Sequence, residues 1–149
     1  MRIALSADER TGISDLIEPA LRRRGHTVLT FGALADGDRT DLAWCSAAAA
    51  RAVANGDADR AIVCCWTGTG ASIAANKVPG IRAALCLDAE TARGARRWND
   101  ANVLAISLRL TSAAVFGELL DAWLTTAASD APADRANIAH VTETDRPPD

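Results

Sequence analysis

One cysteine of the chain occupies a position where a thiol could transfer protons. Cys65 ends an almost uninterrupted apolar run that begins at Arg60, and a Gly-rich turn, residues 67–70, follows it and opens a helical pattern. Backbone N–H groups of such a turn point outward and favour negative charge. The turn could hold a phosphate or stabilise an oxyanion, and its field favours a nearby thiolate. We predict that Cys65 is a base or a nucleophile; the alternative is a tight strand-to-helix connection without a chemical role.

The cysteine and its turn belong to a regular alternation of strand and helix patterns. Five short apolar runs alternate with stretches in which apolar residues recur at helical spacing. This alternation predicts a three-layer α/β/α sandwich with a five-stranded, parallel, Rossmann-like sheet. The predicted strands are 3–7, 27–31, 60–65, 81–87 and 103–106, and the predicted helices are 13–21, 41–55, 71–77, 88–98 and 112–127.

Ligands of open parallel sheets bind beyond the carboxyl ends of the strands. That rule selects four loops of this chain: the acidic and basic stretch 8–10, the loop after Phe31, the turn after Cys65 and the loop after Leu87. After residue 128 the composition changes to Asp, Ala, Pro and Thr, and we expect a partly mobile C-terminal extension over 128–149, with a mobile tail at 142–149.

Composition argues against several classes of protein. The 149 residues carry a net charge of −3 and are 49% hydrophobic, which is typical of a globular domain and disfavours a nucleic-acid binder. No apolar run reaches the roughly 20 residues of a membrane span, and the N-terminal apolar stretch is too short for a signal peptide. Four cysteines without a CxxC pair predict reduced thiols in a cytoplasmic protein, with Cys64 in the core.

Three strings of the sequence resemble a known enzyme family. The stretch 65–77, which ends in Ser-Ile-Ala-Ala-Asn-Lys, resembles the CGTGxGxSIAANK signature of ribose-5-phosphate isomerase B. The stretch 80–86 resembles the family's GIRAALC, and 99–104 resembles HNDANVL without its histidine. The family also includes the galactose-6-phosphate isomerase subunits. The resemblance covers about 1–127, which we predict to be a single sugar-isomerase-like domain.

The resemblance implies an isomerase that interconverts aldoses and ketoses through an enediolate, without metal or cofactor. In such a family Cys65 matches the cysteine that moves a proton between neighbouring carbons, and Thr67 matches the threonine that assists proton transfer. Gly68 and Gly70 match the glycines whose amides hold the anionic intermediate. The implied assembly is a homodimer, or a dimer of dimers, with sites at the subunit interface. The substrate-binding residues predicted on this basis are Asp8, Glu9, Gly68, Gly70, Ser72, Trp98, Asn99 and Arg109.

Several positions depart from the family's pattern. Glu9 and Trp98 stand where the family has histidines, and the Trp98 position is the one that opens the sugar ring. An indole N–H only donates, so it cannot shuttle a proton as imidazole does. In the C-terminal stretch the two arginine positions hold Ala136 and His140, and Arg135 is one residue out of register. The remaining candidates for binding an anion are Arg10, Arg135 and His140.

These departures favour an altered substrate. We expect aldose–ketose proton transfer with Cys65 as the acid/base on a carbohydrate-like carbonyl compound that is unphosphorylated or already open-chain. Two alternatives remain: a non-catalytic ligand-binding or assembly subunit of the same family, and an ordinary ribose-5-phosphate isomerase in which Arg10 or Arg135 replaces the missing groups.

Overall fold

The five predicted strands form one parallel sheet. In the computed structural model, which describes residues 1–145, the strand order is β2-β1-β3-β5-β4 and every neighbouring pair is parallel. Parallel strands are joined by crossover connections, which here contain helices. Because such connections are right-handed, the strand order determines which face of the sheet each helix covers. The strands are β1 (Arg2–Ala7), β2 (Thr27–Gly32), β3 (Arg60–Cys65), β4 (Ala83–Leu85) and β5 (Val103–Ser107).

Six helices connect the strands and follow the last of them. Three begin at side-chain caps: Asp41 accepts hydrogen bonds from Ala43 N and Trp44 N, and Asp88 and Ser112 cap two later helices in the same way. The helices are α1 (Ser14–Arg23), α2 (Leu42–Ala54), α3 (Thr69–Ala75), α4 (Ala89–Asn99), α5 (Ala113–Thr125) and α6 (Pro132–Glu143).

The sheet separates two apolar layers, which confirms the predicted three-layer sandwich. One layer packs the large side chains of α1, α4 and α5, including the fully buried Trp123, against one face of the sheet. The other layer packs α2 and α3 through small residues such as Ala49, Ala50 and Ala71. Alanine lets these helices lie close to the strands, so the Ala-rich run that the sequence shows at 47–50 covers β1 and β3.

The outer edge of β4 is occupied by an amide side chain. Asn76, just after α3, donates to the carbonyl oxygen of Ala83 at 2.9 Å and accepts from its N–H at 2.8 Å. These two bonds reproduce the pairing that a neighbouring strand would give. At three residues β4 is shorter than the predicted 81–87, because Asn102 binds the N–H of Arg82 and the carbonyl of Gly80 before the strand begins.

The C-terminal stretch contains a helix that the sequence analysis does not predict. α6 packs against α4, and none of its residues is buried. Residues 146–149, half of the predicted tail 142–149, lie outside the described residues. No helix among residues 1–145 is both long and apolar enough to cross a membrane.

Candidate active site

The sheet has a crevice where its chain path changes direction. β1 lies between β2 and β3; the chain first crosses from β1 to β2, then returns past β1 to β3 and continues away from it. Ligands of such sheets bind at this point, beyond the carboxyl ends of the two central strands. Asp8 directly follows β1 and Cys65 ends β3, and Ala7 pairs with Cys64 in the register. The topology therefore places Asp8 and Cys65 on the two sides of one crevice.

The Cys65 thiol is enclosed by the turn that follows it. Its residue is 2% exposed, and its Sγ accepts a hydrogen bond from Gly68 N at 3.1 Å. Gly68 has a φ of +77°, and a Cβ there would lie 2.6 Å from Leu85 Cδ1 and 2.9 Å from the backbone of Ile106. Both the backbone conformation and the space therefore require glycine, which brings the amide to the sulfur.

The amides that follow Gly68 at the start of α3 are free. Within residues 1–145, the N–H groups of Thr69, Gly70 and Ala71 have no hydrogen-bond acceptor. Thr67 Oγ1 lies 2.7 Å from Thr69 Oγ1, so the two hydroxyls share a hydrogen bond at the mouth of the turn. Such a group of amides and hydroxyls can hold an oxyanion next to a thiol.

The other three cysteines are buried and free, as predicted. Cys64 points to the opposite face of the sheet from Cys65, into the layer of α1 and α5, and is fully buried. Burial raises the pKa of the Cys64 thiol, raises that of Cys45 to about 11, and raises that of Cys86 as well. These thiols stay protonated near neutral pH and behave as apolar core groups.

The loop after β1 carries two carboxylates. Burial raises the pKa of Asp8, and the negative charge of Glu9 raises it further, against hydrogen bonds from the backbone N–H groups of both residues that lower it. Asp8 Oδ1 is buried and has no hydrogen-bond partner among residues 1–145, whereas Glu9 is exposed. The unpartnered Oδ1 of this carboxylate suits a substrate hydroxyl, since the hydroxyl would supply the donor that Oδ1 lacks.

Arg10 is already engaged by the protein. Its Nε donates to the carbonyl oxygen of Ala33 at 2.9 Å, and its Nη1 binds Asp15. Both contacts hold the guanidinium against the loops after β1 and β2. Three of its five N–H donors remain without a partner among these contacts, but the charge of Arg10 is already paired with Asp15, which weakens the anion-binding role considered for it.

Apolar side chains and one cation border the crevice at β5. Arg109 is exposed, and its N–H donates to the carbonyl oxygen of Trp66 at 3.0 Å. Ser107, at the end of β5, donates to the same oxygen and accepts from Leu110 N. Trp66 directly after Cys65, Ile73 on α3 and Leu110 after β5 are at least half exposed.

Within one subunit, four predicted site residues lie on helices remote from Cys65. Trp98 and Asn99 end α4, close to the amino ends of β4 and β5, because Arg82 Nε binds the carbonyl oxygen of Asn99 at 3.1 Å. α4 starts near the carboxyl edge and runs eleven residues, about 16 Å, to the opposite edge. Arg135 and the exposed His140 lie on α6, whose Val141 lines the same groove as Asn99.

Two charged residues that sequence reasoning did not select fix the end of α4. Asp100 has a φ of +43°, and its carboxylate binds Arg82 at 3.0 Å and Arg96 at 2.8 Å. Arg96 is 6% exposed and also donates to Ala101 O. The Asn-Asp string just after a helix was the signal for this turn, since Asn and Asp adopt the left-handed conformation more readily than other residues.

A parallel sheet with a thiol and a Gly-rich turn at its carboxyl edge defines an α/β protein with a candidate small-molecule site, and comparison with known proteins identifies its family. The family model of ribose/galactose isomerases matches residues 3–141. The chain belongs to the ribose/galactose isomerase family. The predicted family, fold class and isomerase assignment at the family level are thereby confirmed. No group of three His, Cys, Asp or Glu residues that could hold a metal ion occurs within 1–145.

Three similar proteins illustrate the range of the family. The galactose-6-phosphate isomerase subunit LacB of Clostridium acetobutylicum is 43% identical over 72% of this chain, and the match spans 62% of its own length. A D-erythrulose-4-phosphate isomerase of Pectobacterium atrosepticum is 34% identical over 83% of this chain and 82% of its own. The structure of Clostridium thermocellum ribose-5-phosphate isomerase B has a TM-score of 0.87 at 35% identity, with 97% of each chain covered.

Proposed function

We propose that the chain is an aldose–ketose isomerase in which Cys65 moves a proton between neighbouring carbons of an open-chain substrate. The observation that carries this proposal is the Cys65 sulfur, held 3.1 Å from Gly68 N beside three amides without acceptors. Its family context, a set of sugar-phosphate isomerases, supports the same chemistry.

The reaction needs one proton carrier and one anion site. The thiolate removes a proton from the carbon next to the carbonyl, and the electron pair moves onto the carbonyl oxygen to give an enediolate. The amides of Thr69, Gly70 and Ala71 would bind that oxygen. The Thr67 hydroxyl assists transfer of the hydroxyl proton, and Cys65 returns its proton to the neighbouring carbon. One carbon is oxidised and its neighbour reduced, so no external oxidant is required.

An open-chain substrate fits the tryptophan at position 98. An indole cannot supply the proton transfer that opens a sugar ring. One relative is named for D-erythrulose 4-phosphate, a four-carbon ketose that cannot form a five-membered ring because it has no fifth carbon to carry the ring-closing hydroxyl. A family member that acts on such compounds has no need of a ring-opening residue. The family therefore supplies a precedent for the substrate class that Trp98 favours.

We propose that two chains complete each site. The exposed Trp66, Ile73 and Leu110 form an apolar border around Cys65. The predicted substrate residues Trp98 and Asn99 lie at the other edge of the sheet of the same chain. A homodimer in which α4 and α6 of one copy cover the crevice of the other would bury the apolar border and add those residues to the site.

A solvent-deuterium exchange screen tests the proposed activity. Free and phosphorylated aldoses and ketoses of four to six carbons are incubated in D₂O with the protein, and incorporation next to the carbonyl is measured. We expect incorporation with open-chain substrates. Absence of exchange with every compound would contradict catalysis and favour the non-catalytic subunit, for which the similarity to the LacB subunit is the supporting observation.

Ordinary ribose-5-phosphate isomerase activity is the second candidate. The observation in its favour is the similarity to Clostridium thermocellum ribose-5-phosphate isomerase B, whose structure matches this one over 97% of each chain.

We expect weak turnover of ribose 5-phosphate, because Trp98 cannot open the ring and Glu9 repels the phosphate dianion. The double variant Trp98→His, Glu9→His should raise that turnover. A wild-type kcat/KM of about 10⁴ M⁻¹s⁻¹ or more, the ordinary enzyme range, would establish the second candidate instead.

A further inference from the structure

A glycine in the middle of α4 lies directly beneath Trp98. Gly94 is buried, although its helix is on the surface of the molecule. Glycine destabilises a helix interior relative to alanine, so its presence there calls for a reason. Side chains of a helix lean toward its N-terminus, and the residue four positions earlier is therefore the one that Trp98 covers.

The contact between the two residues leaves no room for a side chain at position 94. A Cβ added to Gly94 would lie 2.8 Å from Cζ3 and 3.0 Å from Cε3 of the Trp98 indole. Real Cβ atoms essentially never approach other atoms that closely, so any other residue would push the indole outward. Gly94 therefore determines where the Trp98 ring lies.

The indole is also one wall of a surface groove. The groove has a volume of about 540 Å³ and runs along α4 beside β4, with Glu90, Thr91 and Asn99 among its polar lining residues. Trp98 remains 52% exposed, so one part of the ring packs on the helix while another faces the groove. An indole displaced from Gly94 would move into this space and reduce it.

We infer that Gly94 is a specificity-determining position that holds the Trp98 indole against α4 and so keeps the groove open for the hydroxyl-bearing, uncharged end of the substrate. An aromatic wall with a few hydrogen-bonding groups is typical of small-molecule sites. The carboxylates of Asp88 and Glu90 in the lining disfavour an anionic group there. This inference rests on the proposed function, in which Trp98 of one copy reaches the substrate of the other.

Two glycine-to-alanine variants provide a matched comparison. Gly94→Ala adds a methyl group under the indole, whereas Gly117→Ala adds one in the interior of α5, where no atom lies within 4 Å. We expect Gly94→Ala to raise KM for deuterium exchange about tenfold, or about 1.4 kcal/mol, with kcat within about twofold. Gly117→Ala should leave both constants unchanged. An unchanged KM in Gly94→Ala would overturn the inference.

A second measurement asks whether Gly94 acts through Trp98. In urea unfolding, Gly94→Ala should lower the midpoint when Trp98 is present and raise it in a Trp98→Ala background, where the steric conflict is gone. A higher midpoint in both backgrounds would contradict the contact. If wild-type protein exchanges no substrate, the proposed function fails and the inference fails with it; if it exchanges normally and Gly94→Ala binds normally, only the inference fails.

Discussion

Cys65 and Cys64 differ at the residue scale in the face of the sheet that each one occupies. Both are almost fully buried, but only Cys65 faces the turn with free amides. We predict that Cys65→Ala lowers deuterium exchange by about 10²–10⁴-fold, the usual loss for a general acid–base group, and that the chain still folds. Cys64→Ala is the matched control and should retain exchange. A Cys65→Ala variant with more than about a tenth of the activity would contradict the assigned role.

The partly buried carboxylate of Asp8 predicts a pH-dependent cost in stability. Because burial raises its pKa in the folded state, the ionised form is less favourable there than in the unfolded chain. Below the ordinary value of 3.8 this cost is absent, and it develops as the pH rises through the folded-state pKa. Asp8→Asn should therefore be more stable than wild type at pH 7, with the difference shrinking toward pH 4.

Urea unfolding at several pH values measures this effect, and Asp15→Asn, an exposed carboxylate near the same loop, serves as the control. The same Asp8→Asn variant should bind substrate less well, since the substitution removes the negative charge and replaces one acceptor oxygen by an NH2 group that only donates. A stability difference between Asp8→Asn and wild type that is constant from pH 4 to pH 7 would show that burial does not control this carboxyl.

The sequence allowed much of the site to be predicted at this scale, because the strand end, the Gly-rich turn and the family strings coincide at Cys65. The sequence did not show which hydrogen-bond donors and acceptors already pair with one another within the protein. Arg10 is a candidate anion ligand by its position after β1, yet its donors bind Ala33 and Asp15. Contacts between residues distant in sequence, such as these, depend on the packing of two loops and leave no local pattern.

At the element scale, the end of α4 depends on one carboxylate that binds two arginines. Asp100→Asn would remove the charge that pairs with the buried Arg96 and replace one of the two acceptor oxygens by an NH2 group, which cannot accept from either arginine. We predict a loss of roughly 2 kcal/mol in the free energy of unfolding, less than for a fully buried pair because Asp100 is 37% exposed. Glu18→Gln, which breaks the exposed pair with Arg22, should cost about 0.5 kcal/mol at most. Equal losses in both variants would contradict this ranking.

The elements were predicted from sequence to the extent that they are amphipathic. β3 begins and ends at the predicted residues, and of the two candidate caps that the sequence offers for the last long helix, Thr111 and Ser112, it is Ser112 that caps α5. α6 was missed because none of its residues is buried, so it has no apolar periodicity to detect. The available signals were Pro132 at the first helical position and Asp134 in the first turn, which are weak by themselves. Strand order was not predicted, since local patterns do not encode it.

At the scale of the whole molecule, the divided site predicts an obligatory pair of chains. Light scattering at micromolar concentration should give twice the chain mass of 15.6 kDa. Ile73→Glu places a charge in the apolar border and should yield folded monomers without exchange activity. Leu16→Glu, on the exposed side of α1, is the control and should remain dimeric. A monomeric wild type with full activity would refute the shared site.

The amide of Asn76 has a consequence for polymerisation of the sheet. A fibre that grows by strand addition needs two open edges on every copy, so that the β2 edge of one chain can pair with the β4 edge of the next. Asn76 already binds both backbone polar groups of Ala83, the first residue of the three-residue β4. Any pairing through the remaining β2 edge would join two copies and then stop, so head-to-tail growth is blocked by a single side chain.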